Sequence, residues 1–137
     1  FSDSQLAGVM AEGVLPALQA FAPEAVVITC GADGLAGDPL SGMMLSNDAL
    51  WDAVMQGVNA APRAVVLGGG GYNPWTTVRC WVGLWARLNG FAIPHRLPDE
   101  ATKILSALTC DLVDDDEMNP AWLTTLSDAD AAEETCN

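Results

Sequence analysis

The chain has 137 residues, half of them hydrophobic, and carries 18 Asp plus Glu against 5 Lys plus Arg for a formal net charge of −13. A chain of this size and apolar content builds the core of one folded domain, which argues against disorder. The charge repels phosphate backbones, arguing against direct nucleic acid binding, and no apolar run approaches the ~18 residues of a membrane span.

The elements follow in chain order. In SQLAGVMAEGVLPALQAF (4–21), Leu6, Val9, Met10, Val14, Leu15, Leu18 and Phe21 recur at helical spacing, with Pro16 as a blemish. Val26, Val27 and Ile28 lie together between Pro23 and Gly31, as in a strand buried on both faces. Residues 45–62 read as a second helix, with Ser46 as N-cap candidate and Asp48 in the first turn. AVVLGGGG (64–71) is a second strand cut short by glycine. Val78, Trp81, Val82, Trp85 and Leu88 then mark a third helix that ends at Gly90. Alternation of this kind predicts an α/β fold, a parallel sheet flanked by helices, with the 45–62 helix as a right-handed crossover. From Phe91 the sequence gives a short helix near 99–109 and then an acidic, proline-punctuated tail.

Cys30, Cys80, Cys110 and Cys136 form no CxxC pair, so the expectation is reduced thiols in a cytoplasmic protein. No leader pattern follows Phe1. Cys30 and Cys80 read as buried apolar thiols, and His95 as a surface or turn histidine among prolines. Trp51, Trp81 and Trp85 fit the apolar faces of helices, whereas Trp75, beside Pro74, is expected to wall a pocket. The carboxylates between Asp111 and Glu117 lack the D-x-[DN]-x-[DN]-G pattern of a cation loop and read as solvated. The acidic surface suits cationic partners, or serves solubility alone.

Ligands of parallel α/β sheets bind beyond the carboxyl ends of the strands, where two unusual loops emerge, CGADGLAGDPL and GGGGYNPW. Asp33 and Tyr72, 39 positions apart, should therefore share one sheet edge. Asp33 is either a cation ligand among glycines or a turn cap, and Asp38, before Pro39, leans to the turn reading. Gly68 to Gly71 fit neither GxxxxGK[ST] nor GxGxxG, so nucleotide binding has little support. The glycines either floor a pocket over which Tyr72 presents its hydroxyl or make a tight turn.

Read together, CGADGLAGDPL and LGGGGYNPWTTVRCW resemble the C-terminal part of class I histone deacetylases and acetoin-utilisation-type deacetylases, over roughly residues 22–90. The resemblance implies the arginase/deacetylase three-layer α/β sandwich, present as a C-terminal portion, with residues 1–110 in the deacetylase domain and 111–137 its acidic C-terminal tail. It implies a Zn2+-dependent deacetylase in which Asp33 is a metal ligand and the Tyr72 hydroxyl stabilises the oxyanion. Leu40 would stand at the pocket mouth, and Gly70 would line the acyl channel. The family's Asp-x-His and His-His motifs are absent from a chain with one histidine, so this chain alone is expected to be inactive and to need the remainder of the domain, on the same or a separate chain. Pro39 and Trp75 replace the arginines that bind an inositol phosphate in corepressor-bound members, which removes that cofactor. The implied substrate is acetyl-lysine, an acetylated polyamine or another small acetylated amine, and assembly as a homo-oligomer stays open. The alternative is a non-catalytic, deacetylase-like interaction module or an inactive fragment.

Overall fold

A computed structural model of the chain describes residues 1–129. The first helical stretch runs as α1 (Asp3–Val9), a π turn (Met10–Val14) and α2 (Leu15–Phe21). Pro16 explains the interruption, because it has no N–H to return to the carbonyl four residues back. The Leu15 N–H reaches the Met10 carbonyl instead, five residues back, and the rod continues through a π bulge.

Strands β1 (Val26–Thr29) and β2 (Ala64–Leu67) pair in parallel, in register from Val26↔Ala64 to Thr29↔Leu67. Helix α3 (Asn47–Asn59) connects them, and the Ser46 hydroxyl caps it by accepting the Ala49 N–H at 3.1 Å. Helix α4 (Pro74–Leu88) begins two residues before the first threonine, because Asn73 caps it and Pro74 fits its first turn. Gly90 follows with φ +72°, the left-handed residue that ends the helix. Helix α5 (Asp99–Ser106) and two short 3-10 turns complete the described chain.

Ile28 and Val66 pack against a buried cluster of Cys30, just past β1, with Trp51 and Val54 of α3 and Leu84 of α4. Trp51 is wholly buried, and its indole N–H donates to the Cys80 carbonyl at 2.9 Å. The opposite face of the ladder is open: Val27 is 68% exposed, Val65 53% and Leu67 47%. The expectation of a strand buried on both faces is thus corrected, because the described residues cover the ladder on one side only.

One tryptophan also departs from expectation. Trp85 is 58% exposed and leans on Phe91, with ring centroids 5.3 Å apart, so it is not a core residue. Trp75 is buried and, as expected, walls a cavity, one of about 280 Å³ shared with Leu105, Val113 and Met118 and separate from the one described below. It packs with Leu105, Val113 and Trp122, and its indole N–H donates to the Leu105 carbonyl at 2.8 Å. Beyond Cys110, Val113, Trp122 and Leu126 turn inward while Asp111, Asp114, Asp116 and Glu117 face solvent. Cys136 lies outside the described residues. Among these residues no helix is long and apolar enough to cross a membrane.

Candidate active site

The two loops meet at the carboxyl end of the strands. Beyond the ladder, the Cys30 N–H donates to the Leu67 carbonyl at 3.0 Å and the Ala32 N–H to the Gly70 carbonyl at 2.7 Å. The Asn73 amide donates to the Gly37 carbonyl at 2.8 Å, and the Tyr72 N–H donates to Asp38 Oδ2 at 2.7 Å. Asp38 is 5% exposed, and its second oxygen accepts the Leu40 N–H at 2.9 Å, closing the turn expected before Pro39.

The glycine loop allows this close approach. A Cβ on Gly70 would run into the Asp33 carboxylate, lying 2.7 Å from its Cγ. Gly71 sits at φ +148°, and a Cβ there would stand 2.6 Å from Thr77 Oγ1, a buried hydroxyl with no partner among the described residues. The start of α4 likewise offers little to a nucleotide phosphate. Asn73 Oδ1 accepts the N–H groups of Trp75 and Thr76 at 3.0 and 3.3 Å, Pro74 has none to give, and the Thr77 N–H bonds the Asn73 carbonyl at 3.0 Å.

Asp33, Leu40 and Tyr72 line one cavity of about 830 Å³, which runs along β1 beneath the α1–α2 rod. Gly70 stands one step back, behind the Asp33 carboxylate. Asp33 is half-buried, and among the described residues its carboxylate accepts no hydrogen bond; the turn-capping role falls to Asp38. Tyr72 is 46% exposed, and its hydroxyl has no partner among the described residues. One cavity is therefore lined by a residue bearing a carboxyl group and a residue bearing a phenolic donor.

The other candidates stand apart. His95 is exposed in a bend between α4 and α5. Cys30 and Cys80 are buried free thiols. Burial, with the nearby Asp33 charge, pushes the Cys30 thiol up to about 11, and burial above all pushes Cys80 up to about 12, so neither is a nucleophile near neutral pH. No group of three or more His, Cys, Asp or Glu among the described residues is placed to hold a metal ion. A catalytic zinc keeps three protein ligands, so Asp33 offers one donor and these residues do not complete the set.

The contacts that hold the loops were not legible in the sequence. Asp38 and Asn73 bond across more than 30 positions, and Arg79, 1% exposed, donates to the Thr125 carbonyl and to Asp128 Oδ1, each at 2.8 Å. Arg79 left a signal, since an arginine amid the apolar residues of a helix needs a buried partner.

Residues 1–88 match the model of the histone deacetylase domain. Histone deacetylase 8 of Xenopus laevis is 36% identical over 89 residues, 64% of this chain and 27% of that protein. Histone deacetylase 7 of Arabidopsis thaliana is 33% identical over 96 residues, 70% of this chain and 24% of that protein. The chain thus spans about a quarter of the length of these relatives. The crystal structure of a histone deacetylase homologue from Aquifex aeolicus superposes with a TM-score of 0.82 at 30% identity, covering 93% of this chain and 34% of that one. A homologue complexed with SAHA gives 0.70 at 30% identity, over 82% of this chain and 32% of that one. With its parallel ladder, flanking helices and paired loops, the chain has the arginase/deacetylase α/β fold and belongs to the histone deacetylase family.

Proposed function

We propose that this chain is part of a zinc-dependent deacetylase that hydrolyses the amide of acetyl-lysine or of a small acetylated amine. One observation carries the reading: Asp33 and Tyr72, from loops 39 positions apart, line a single cavity with their polar groups unused by the described residues. The Tyr72 hydroxyl is the donor for the amide carbonyl oxygen as it becomes an oxyanion, when the hydrogen bond strengthens most. Leu40 offers apolar wall to the acyl group, and the bare backbone at Gly70 lets the loop lie flush on Asp33. Zinc acts in hydrolases as a Lewis acid, and Asp33 is the one oxygen donor these residues offer it. The remaining ligands and the acid/base histidines come, in this reading, from the remainder of the domain. The charge of −13 favours cationic acetylated amines as substrates and disfavours nucleic acid.

Acetate release from an acetyl-lysine peptide and from an acetylated polyamine, by the protein carrying the whole domain, tests the reading. Turnover is expected, with loss on chelation and recovery on adding zinc. Turnover indifferent to chelation would contradict the zinc assignment. Absence of both turnover and stoichiometric zinc would favour the non-catalytic interaction module.

A further inference from the structure

Asp38 touches both loops and has no part in the chemistry proposed above. Its carboxylate is buried, and its two oxygens are divided between the backbone N–H groups of Tyr72 (2.7 Å) and Leu40 (2.9 Å). Those are the two neutral residues proposed to meet the acetyl group. The Tyr72 carbonyl is held separately, by the Cys110 thiol at 3.7 Å. We propose that Asp38 is a positioning residue, a buried clamp that fixes the Tyr72 hydroxyl relative to the acyl wall at Leu40.

The chemistry of the clamp requires a carboxylate. Both contacts are N–H donors, so the group between them must accept on both sides, as an ionised carboxylate does. An asparagine offers one oxygen and one NH2 group. It keeps one bond and turns a donor on the other N–H, leaving a buried donor unpaired. With the clamp half undone, the loop gains freedom at Tyr72, and misplacement on the ångström scale costs rate more than affinity.

The inference rests on the proposed role of Tyr72, and its test separates the two. In the protein carrying the whole domain, Asp38→Asn is expected to lower kcat about 10- to 100-fold on an acetyl-lysine peptide, with KM changed less than about threefold. Tyr72→Phe should lower kcat about 10²–10³-fold, and adding Asp38→Asn to it should cost no more than about threefold, because the clamp acts through that hydroxyl. Multiplying losses would overturn the clamp and leave Asp38 as a structural residue. Amide hydrogen exchange measured at Tyr72 and Leu40 gives a readout independent of turnover. Asp38→Asn should speed exchange at one or both amides while α3 keeps its protection. Unchanged exchange at both would overturn the clamp even if the unsubstituted protein proved inactive, whereas faster exchange without turnover would uphold it and count against the deacetylase reading.

Discussion

Asp33 and Asp38 stand five residues apart in one loop and have opposite surroundings. Asp38 spends both oxygens on backbone N–H groups, while Asp33 is a half-buried residue lining the cavity, its carboxylate lying against Gly31 and Gly70. The sequence made both candidates visible, through their glycine and proline neighbours, and rightly gave Asp38 the turn. It could not show that the same carboxylate reaches Tyr72, because that bond crosses 34 positions and depends on how two loops pack. Cys80 supports a further prediction at this scale. Its pKa is raised from 9.0 to about 12, mainly by burial, so the folded state holds the proton after the unfolded chain has lost it. Its contribution is therefore complete below about pH 9 and is lost as pH rises from 9 toward 12. Denaturant midpoints measured from pH 8 to 11 should fall less steeply for Cys80→Ala than for the unsubstituted protein. Parallel declines would contradict the assignment.

At the scale of elements, the sequence pattern placed the α-helices and both strands of the described residues, though not the two 3-10 turns, since a 3.6-residue apolar repeat and short β-branched runs are local properties. Pro16 was legible as a blemish but not as a π turn, because the repair lies in the Leu15 N–H choosing the Met10 carbonyl. The tie between α4 and the segment near residue 125 was not legible either. Arg79 is 1% exposed and bonds Thr125 and Asp128, while Asn47 Nδ2, at the start of α3, donates to the Leu126 carbonyl at 2.7 Å. Removing one partner of a buried ion pair costs about 3–5 kcal/mol. Because the Asp128 side chain is 28% exposed, Asp128→Asn should cost less, about 1–3 kcal/mol. The Arg87–Asp52 pair, 31% and 57% exposed, is a contrast, and Asp52→Asn should cost under about 1 kcal/mol. Urea denaturation of the two variants checks the ranking, and equal losses would contradict the buried network.

At the scale of the whole molecule, the governing feature among the described residues is a two-stranded parallel sheet with one uncovered face. Parallel sheets are stable with both faces covered, and two strands alone are marginal. Val27, Val65 and Leu67 leave one face open, and Val78, Val82 and Trp85 form a second exposed apolar row on α4. The chain covers 34% of the Aquifex aeolicus homologue, so in the proposed reading the remainder of the domain covers these surfaces. Residues 1–137 produced alone should self-associate with rising concentration, as seen by sedimentation. A monodisperse 14.3 kDa monomer would contradict that.

The proposed chemistry centres on the Tyr72 hydroxyl as donor to a substrate carbonyl, and the most direct measurement is turnover of an acetyl-lysine peptide by the whole-domain protein and by its Tyr72→Phe variant. Loss of one oxyanion donor predicts a fall in kcat of about 10²–10³-fold, with the thermal midpoint shifted by no more than about 2 °C. Equal turnover by the two proteins would contradict it.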